Sequence, residues 1–417
     1  MKKTTIIKIA YIVFLSYALQ LRWTELDNQA YARLDSIGDY GGLILGAPWR
    51  FILLAGMVPF LIELLNGAKL IPVPIWIIYG FAGASFFWSI DPLRTAGGIV
   101  DLSLFLGYTL LSIRFLGPKV VLKLLWGFGV AVILLSVVLA IAGDQHVLMS
   151  ATHAGKWRGL FNHKNVFAPF VATILLITLY GSKILEIGRL FKLMIAALCV
   201  VCLIFAQSSS SSVAAIAAIV IMQFASFPLE SKPLRILAYT ALVGVIAVGS
   251  ILVSNALDLI VEGVGRDLTL SGRTAIWGGA FPYTLAAPFG YGFRTSGGEQ
   301  IILAIRAYSG WAIANSVHNV YLNMALDIGW LPSLLFAAWL LSRMWVIDTN
   351  ANFLVARLLS GFCALHFIVG MTEVIGGVYS SIHLLGVLWG TVALNASKQS
   401  TVPADGLSSI KIATDTA

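Results

Sequence analysis

The sequence predicts an all-α, polytopic membrane protein with about 12 transmembrane helices and one long outer loop. Three observations carry this. The chain of 417 residues is 59% hydrophobic and only 11% charged, whereas soluble domains are roughly half apolar and a quarter charged. Charge-free runs long enough to cross a bilayer recur along its length. None shows the short alternating segments of a membrane barrel, so the runs must satisfy their backbone polar groups as helices.

Spans are predicted at 6–20, 43–65, 70–89, 97–115, 120–142, 164–181, 190–206, 211–227, 234–254, 320–342, 354–371 and 375–395. The net charge of +8 would suggest nucleic acid as the partner of a soluble protein. Here the positive-inside rule accounts for it, so the lipid bilayer is the expected partner and nucleic acid is not. With both termini cytoplasmic, most lysines and arginines fall on inner segments, among them Lys2, Lys3, Lys119, Lys123, Lys183, Arg343 and Arg357. The short outer loops hold Arg22, Arg33, Arg94, Lys156, Arg158 and Lys164. The N-terminal run resembles a signal peptide, but Arg22, Glu25 and Asp27 separate it from the small residues that could be cleaved, so it reads as an uncleaved first helix.

This topology divides the chain into a helical bundle over 1–397, including the loop 255–319, and a polar cytoplasmic tail over 398–417 that is expected to be disordered. The loop is long for a bundle connection, which points to function. Its Trp277, Phe281, Tyr283, Tyr291 and Phe293 can bury area, and 274–287 can form an interfacial helix. Cys199, Cys202 and Cys363 lie in apolar helix, so no disulfide is expected despite the Cys-x-x-Cys spacing. His146 and His153 read as solvated loop residues without further ligands for a metal. The sequence contains no P-loop or dinucleotide fingerprint, and no cofactor is expected.

Four polar constellations fall on the outer side once the topology is set. They are Arg158-Gly-Leu-Phe-Asn-His163-Lys164-Asn165, the serine run Ser208–Ser212, Ser271-Gly-Arg273-Thr-Ala-Ile-Trp277, and His318-Asn319-Val-Tyr-Leu-Asn323. Arginine and lysine clamp phosphate oxygens. A helix N-terminus favours anions, and an imidazole at the boundary can take a proton near neutral pH. Together these suit transfer from a lipid diphosphate. Each piece also has a plainer reading. Arg273 can be a snorkelling residue, Asn319 a helix cap, Arg158 and Lys164 juxtamembrane charges, and Ser208 and Ser210 part of a capped turn. Arg50, Asp101, His366, Glu373 and His383 are ionisable groups in or near spans, where such groups are costly. Interhelical hydrogen bonding is the plain expectation for the two histidines. Glu373, at the outer end of span eleven, is a further candidate.

Arg273-Thr-Ala-Ile-Trp277 with Pro288-Phe-Gly-Tyr-Gly292, and His318-Asn-Val-Tyr-Leu-Asn-Met-Ala-Leu-Asp-Ile-Gly329, resemble the O-antigen ligases and Wzy-type polysaccharide polymerases. The segment 158–165 is similar to one in the exopolysaccharide-polymerase branch. The resemblance implies a bacterial inner-membrane, metal-independent, inverting glycosyltransferase. Its donor would be an undecaprenyl-diphosphate-linked glycan on the periplasmic side, and its acceptor another glycan or lipid A core. It casts His318 as general base and Arg273 as a contact to the diphosphate. Arg158, His163, Lys164, Asn165, Ser208, Ser210, Arg294, Asn319 and Glu373 are the remaining substrate-binding candidates. A membrane partner that regulates chain length is a further expectation.

One departure matters. Where many ligases carry an arginine at the serine turn, this chain has only serines, so Arg158, Lys164 or Arg294 must supply the second cation, or the donor is held differently. That favours a polymerase over a lipid A-core ligase. Asp327, nine residues after His318, falls on the opposite helix face and is not expected beside the base. Transport is the reading from another class; it would place the polar site near the midplane, with Arg50 and Asp101 as its best residues.

Overall fold

The computed structural model describes residues 3–18, 50–150, 154–224, 273–309, 316–344, 353–373 and 382–399. In chain order the principal helices are α1 (Lys3–Ala18), α2 (Arg50–Leu70), α3 (Val73–Ala84), α4 (Pro92–Ile141), α5 (Lys164–Tyr180), α6 (Arg189–Ala206), α7 (Ser209–Phe224), α8 (Arg273–Ala286), α9 (Glu299–Ser309), α10 (Val320–Ile328), α11 (Trp330–Met344), α12 (Phe353–Thr372) and α13 (Ile382–Gln399). Among the described residues, α2, α4, α6 and α12 are long and apolar enough to cross a membrane, and α1, α3, α5, α7 and α13 are shorter apolar helices. At 1.5 Å per residue the 17 residues of α5 span roughly 26 Å, close to a bilayer's hydrocarbon thickness. The predicted span 234–254 and residues 400–417 lie outside the described residues. Helix α13 runs to Gln399, so the tail boundary at Lys398 falls inside a helix.

Burial separates the inner helices from the lipid-facing ones. In α12 every residue from Leu358 to His366 is buried, so all faces are covered. It packs against α5, α7, α11 and α13. Such packing uses small residues where helices approach closely: a side chain at Gly386 would run into the Phe362 ring, and one at Gly390 into Leu359. Helix α6 instead exposes Leu190, Leu193, Met194, Ile204 and Phe205. Several buried hydroxyls are satisfied locally, with Thr109, Ser136, Thr173, Thr178, Ser360 and Thr391 each donating to the carbonyl four residues back. The three cysteines are buried.

Three spans differ from the sequence reading in detail. The spans 97–115 and 120–142 belong to one long helical stretch, α4, broken where expected: Gly117 has φ 77°, and Pro118 follows. Span ten is not one helix. Gly329 (φ 90°) divides 320–342 into α10 and α11, and the two legs fold against each other, because Ser333 donates to the carbonyl of Tyr321, twelve residues earlier, at 2.7 Å. The described part of the long segment 255–319 also contains more helix than expected, since α9 joins the foreseen α8.

The histidines of the bundle interior differ too. His366 and His383 lie on α12 and α13 with ring centroids 4.7 Å apart, and His366 meets Phe336 edge-on. Among the described residues neither ring has a hydrogen-bond partner, so aromatic packing replaces the interhelical hydrogen bond expected of them.

Candidate active site

Helix termini from distant parts of the sequence converge on one carboxylate. Glu373 directly follows α12, Asn165 sits in the first turn of α5, Arg273 opens α8 and His318 precedes α10. Arg273 Nη2 donates to Glu373 Oε1 at 2.5 Å, and Asn165 Nδ2 donates to the same oxygen at 2.8 Å. His318 Nδ1 lies 3.4 Å from Oε2, at the long limit of a hydrogen bond. The carboxylate is sealed in, with a side chain only 3% exposed, while those of Arg273 and His318 are 18% and 29% exposed. The outward-facing groups are therefore the cation and the imidazole. Burial alone pushes the Glu373 carboxyl up. The hydrogen bond from His318 and the charges of Arg273 and His318 outweigh it and hold the group below its ordinary value.

His318 is fixed from both sides. Its backbone is left-handed, with φ 50°, a conformation a β-carbon disfavours. Just before it, the carbonyl of Val317 accepts from Trp277 Nε1 at 2.9 Å, which ties the turn to α8. Just after it, Asn319 caps α10 by accepting from the Leu322 N–H at 3.0 Å, and its Nδ2 donates to the Met371 carbonyl, also at 3.0 Å. The cap reading of Asn319 is thus correct, and it leaves the imidazole pointing at Glu373.

The first constellation brings a further cation near the same carboxylate. His163 caps α5, its Nδ1 accepting from the Asn165 N–H at 3.1 Å. Lys164 is buried and donates to the carbonyl of Gln207 at 2.8 Å, at the turn before α7. It lies close enough to Glu373 and Arg273 to feel both charges. At that turn Ser208 and Ser211 share a hydrogen bond of 3.1 Å, and Ser210 is half-buried in the first turn of α7. Arg158 donates from Nε to the His146 carbonyl at 3.0 Å, bracing the loop 143–163.

Arg294 belongs to a separate cluster. It pairs with Asp101, which also receives both Nε (2.6 Å) and Nη2 (2.7 Å) of Arg50 and the Tyr17 hydroxyl (2.6 Å). Arg50 and Asp101, the residues that would favour transport, therefore engage each other.

The two glycine-bearing motifs lock together. Tyr291 N–H donates to the Leu326 carbonyl at 2.7 Å and Gly292 N–H to that of Asp327 at 2.9 Å. Gly290 (φ 73°) lies so close to the Asp327 backbone that a β-carbon would overlap it, and Gly329 meets the Pro288 carbonyl in the same way. Asp327 is fully buried and accepts from the Ser296 N–H at 2.8 Å, away from the base as expected. The loop is also pinned to the α3–α4 connection through Ile90 N–H to the Tyr291 carbonyl (2.9 Å) and Phe293 N–H to Ser85 Oγ (3.0 Å).

Sequence reasoning named Arg273, His318, Asn165 and Glu373 among its candidates but missed what joins them. It also missed the link from Trp277 to Val317 and the pairing of Arg50 with Asp101. Opposite charges in two apolar spans were the available signal for that pair. Among the described residues no group of three or more His, Cys, Asp or Glu is placed to hold a metal ion.

None of the curated proteins compared with the chain matches it. Residues 194–337 match the sequence model of the family described as O-antigen ligase. The match runs from α6 to α11 and contains Arg273 and His318, while Asn165 and Glu373 lie outside it. Residues 194–337 are thus similar to an O-antigen ligase family domain, and the apolar helices around them fit a membrane protein of the polymerase or ligase type.

Proposed function

We propose that this chain is a glycosyltransferase of the bacterial inner membrane, with both termini cytoplasmic, that uses an undecaprenyl-diphosphate-linked glycan on the periplasmic side and extends it as a polymerase. The observation that carries the reading is the meeting of Arg273 and His318, 45 positions apart, on the carboxylate of Glu373 at one end of the bundle.

The chemistry follows from the charges. An acceptor hydroxyl loses its proton to His318 as its oxygen attacks the anomeric carbon. The bond from that carbon to the diphosphate oxygen breaks, and the electron pair leaves with the lipid diphosphate. Arg273, aided by Lys164, stabilises the charge that develops there. A single displacement inverts the anomeric configuration, and no step calls for a metal or a nucleotide sugar. Asn319 acts on the turn that carries the base, while Ser208, Ser210, Arg158 and His163 shape the mouth around it.

The family description favours a second reading, transfer to lipid A core. Turnover of the purified full-length chain in nanodiscs, with a defined lipid-diphosphate donor and either acceptor, separates the two. A lengthened lipid-linked glycan is the expected product, and exclusive transfer to the core would replace the polymerase reading. His318→Ala is expected to abolish turnover while the protein still inserts, and normal glycan output from that variant removes the base.

A further inference from the structure

Glu373 lies behind the groups that can meet a substrate and touches both of them. Its side chain is 3% exposed, too enclosed to meet a glycan or a lipid diphosphate, yet one oxygen serves Arg273 and Asn165 and the other faces His318 Nδ1. A neutral imidazole has one N–H and one lone pair, and the hydrogen bond at one nitrogen decides which edge carries which. The more exposed imidazole and guanidinium lie in front of the carboxylate, and no other acid is seen to contact either of them among the described residues.

We propose that Glu373 is the positioning residue of this site: it holds His318 through Nδ1–H, so that Nε2 takes the acceptor's proton, and it shelters Arg273 until a diphosphate draws that guanidinium away. The inference rests on the transferase reading above. As the acceptor proton moves to Nε2, the imidazolium that forms faces the carboxylate and is stabilised by it. As Arg273 turns to the donor, Glu373 keeps Asn165 and His318 as its partners. The charged groups facing the pair are Arg273 from α8 and Lys164 from α5, with Lys156 behind Lys164.

The test compares wild type, Glu373→Gln, Glu373→Asp and His318→Ala as full-length protein in nanodiscs, with kcat and donor KM measured across pH. In Glu373→Gln, kcat is expected to fall about 100-fold with no rise in donor KM. Glu373→Asp keeps the charge and is expected to restore part of the lost kcat. An unchanged kcat in Glu373→Gln, or a loss confined to KM, overturns the proposal. If Glu373→Gln does not survive purification, Glu373→Asp carries the test, and a wild-type kcat there is equally fatal. His318→Ala separates the two failures. Wild-type turnover by that variant removes the base itself, whereas an inactive His318→Ala beside a wild-type kcat in Glu373→Gln removes only the role of Glu373.

Discussion

Asn165 donates its side-chain N–H to Glu373 across 208 positions of sequence, joining the first turn of α5 to the end of α12 at 2.8 Å. Both residues are buried, so the bond keeps the carboxylate satisfied once it has left water. Asn165→Ala removes one donor from a buried charge, a loss of about 1–3 kcal/mol. Thermal denaturation in detergent is expected to show that loss, and turnover should fall with it. Asn165→Asp should be worse, since it sets a second carboxylate against the first. A melting temperature unchanged in both variants would mean that the bond contributes nothing.

Trp277 tests whether the turn before the base is held by α8. Replacing Trp277 with Phe keeps most of the apolar contact and removes the N–H that the Val317 carbonyl accepts. The lost bond costs about 1 kcal/mol in stability. Its larger effect is expected in kcat, about tenfold lower with donor KM unchanged, because a misplaced base slows proton transfer without weakening the clamp. An effect on KM alone would assign Trp277 to substrate binding instead.

The convergence of Arg273 and His318 was legible because polarity, motif order and sidedness agreed. The joining carboxylate was not, since nothing local in sequence links Glu373 to Asn165 or Arg273. Hydropathy also hid the break in span ten. The run 320–342 stays apolar throughout, and only Gly329 with Pro332 marks the point where the chain turns on itself. For His366 and His383, a rule about polar groups in membranes met a local fact it could not contain, namely that each ring already faces an aromatic neighbour. The pairing of Asp101 with Arg50 and Arg294 depends on three separate segments meeting, which periodicity does not encode.

The lock between the two glycine motifs makes a stability prediction. Gly290→Ala and Gly329→Ala each place a β-carbon against backbone atoms at a positive φ. Strain of this kind costs about 1–3 kcal/mol before the overlap is counted. Both variants should lower the melting temperature and the yield of folded protein, whereas Gly278→Ala, with open space around it, should not. Equal stability of all three would show that the loop does not depend on this contact.

The pH dependence of stability follows from Glu373. Its folded pKa lies below the ordinary carboxyl value, so the stability it provides is fully present above the unfolded value, about 4.3. It is lost as pH falls through the lowered folded value. Glu373→Gln stands in for the protonated acid. Wild type should therefore melt higher than Glu373→Gln above about pH 5, and the margin should narrow as pH falls below that. A margin that keeps widening below about pH 4 would reverse the sign of the coupling.

Arg273 and Arg306 separate a diphosphate clamp from a merely basic surface. Both are half-buried and lie in the same stretch of chain, but only Arg273 meets the carboxylate that faces His318. A clamp that works on the leaving group contributes where charge develops, so Arg273→Ala should lower kcat/KM for the donor by about 100-fold or more. Arg306→Ala should change it by less than about threefold, the range of a screened surface charge. Arg273→Lys keeps the charge but loses the fork that grips two phosphate oxygens, and should fall between them. Equal losses in Arg273→Ala and Arg306→Ala, measured with one donor at fixed ionic strength, would reduce the role of Arg273 to general electrostatics.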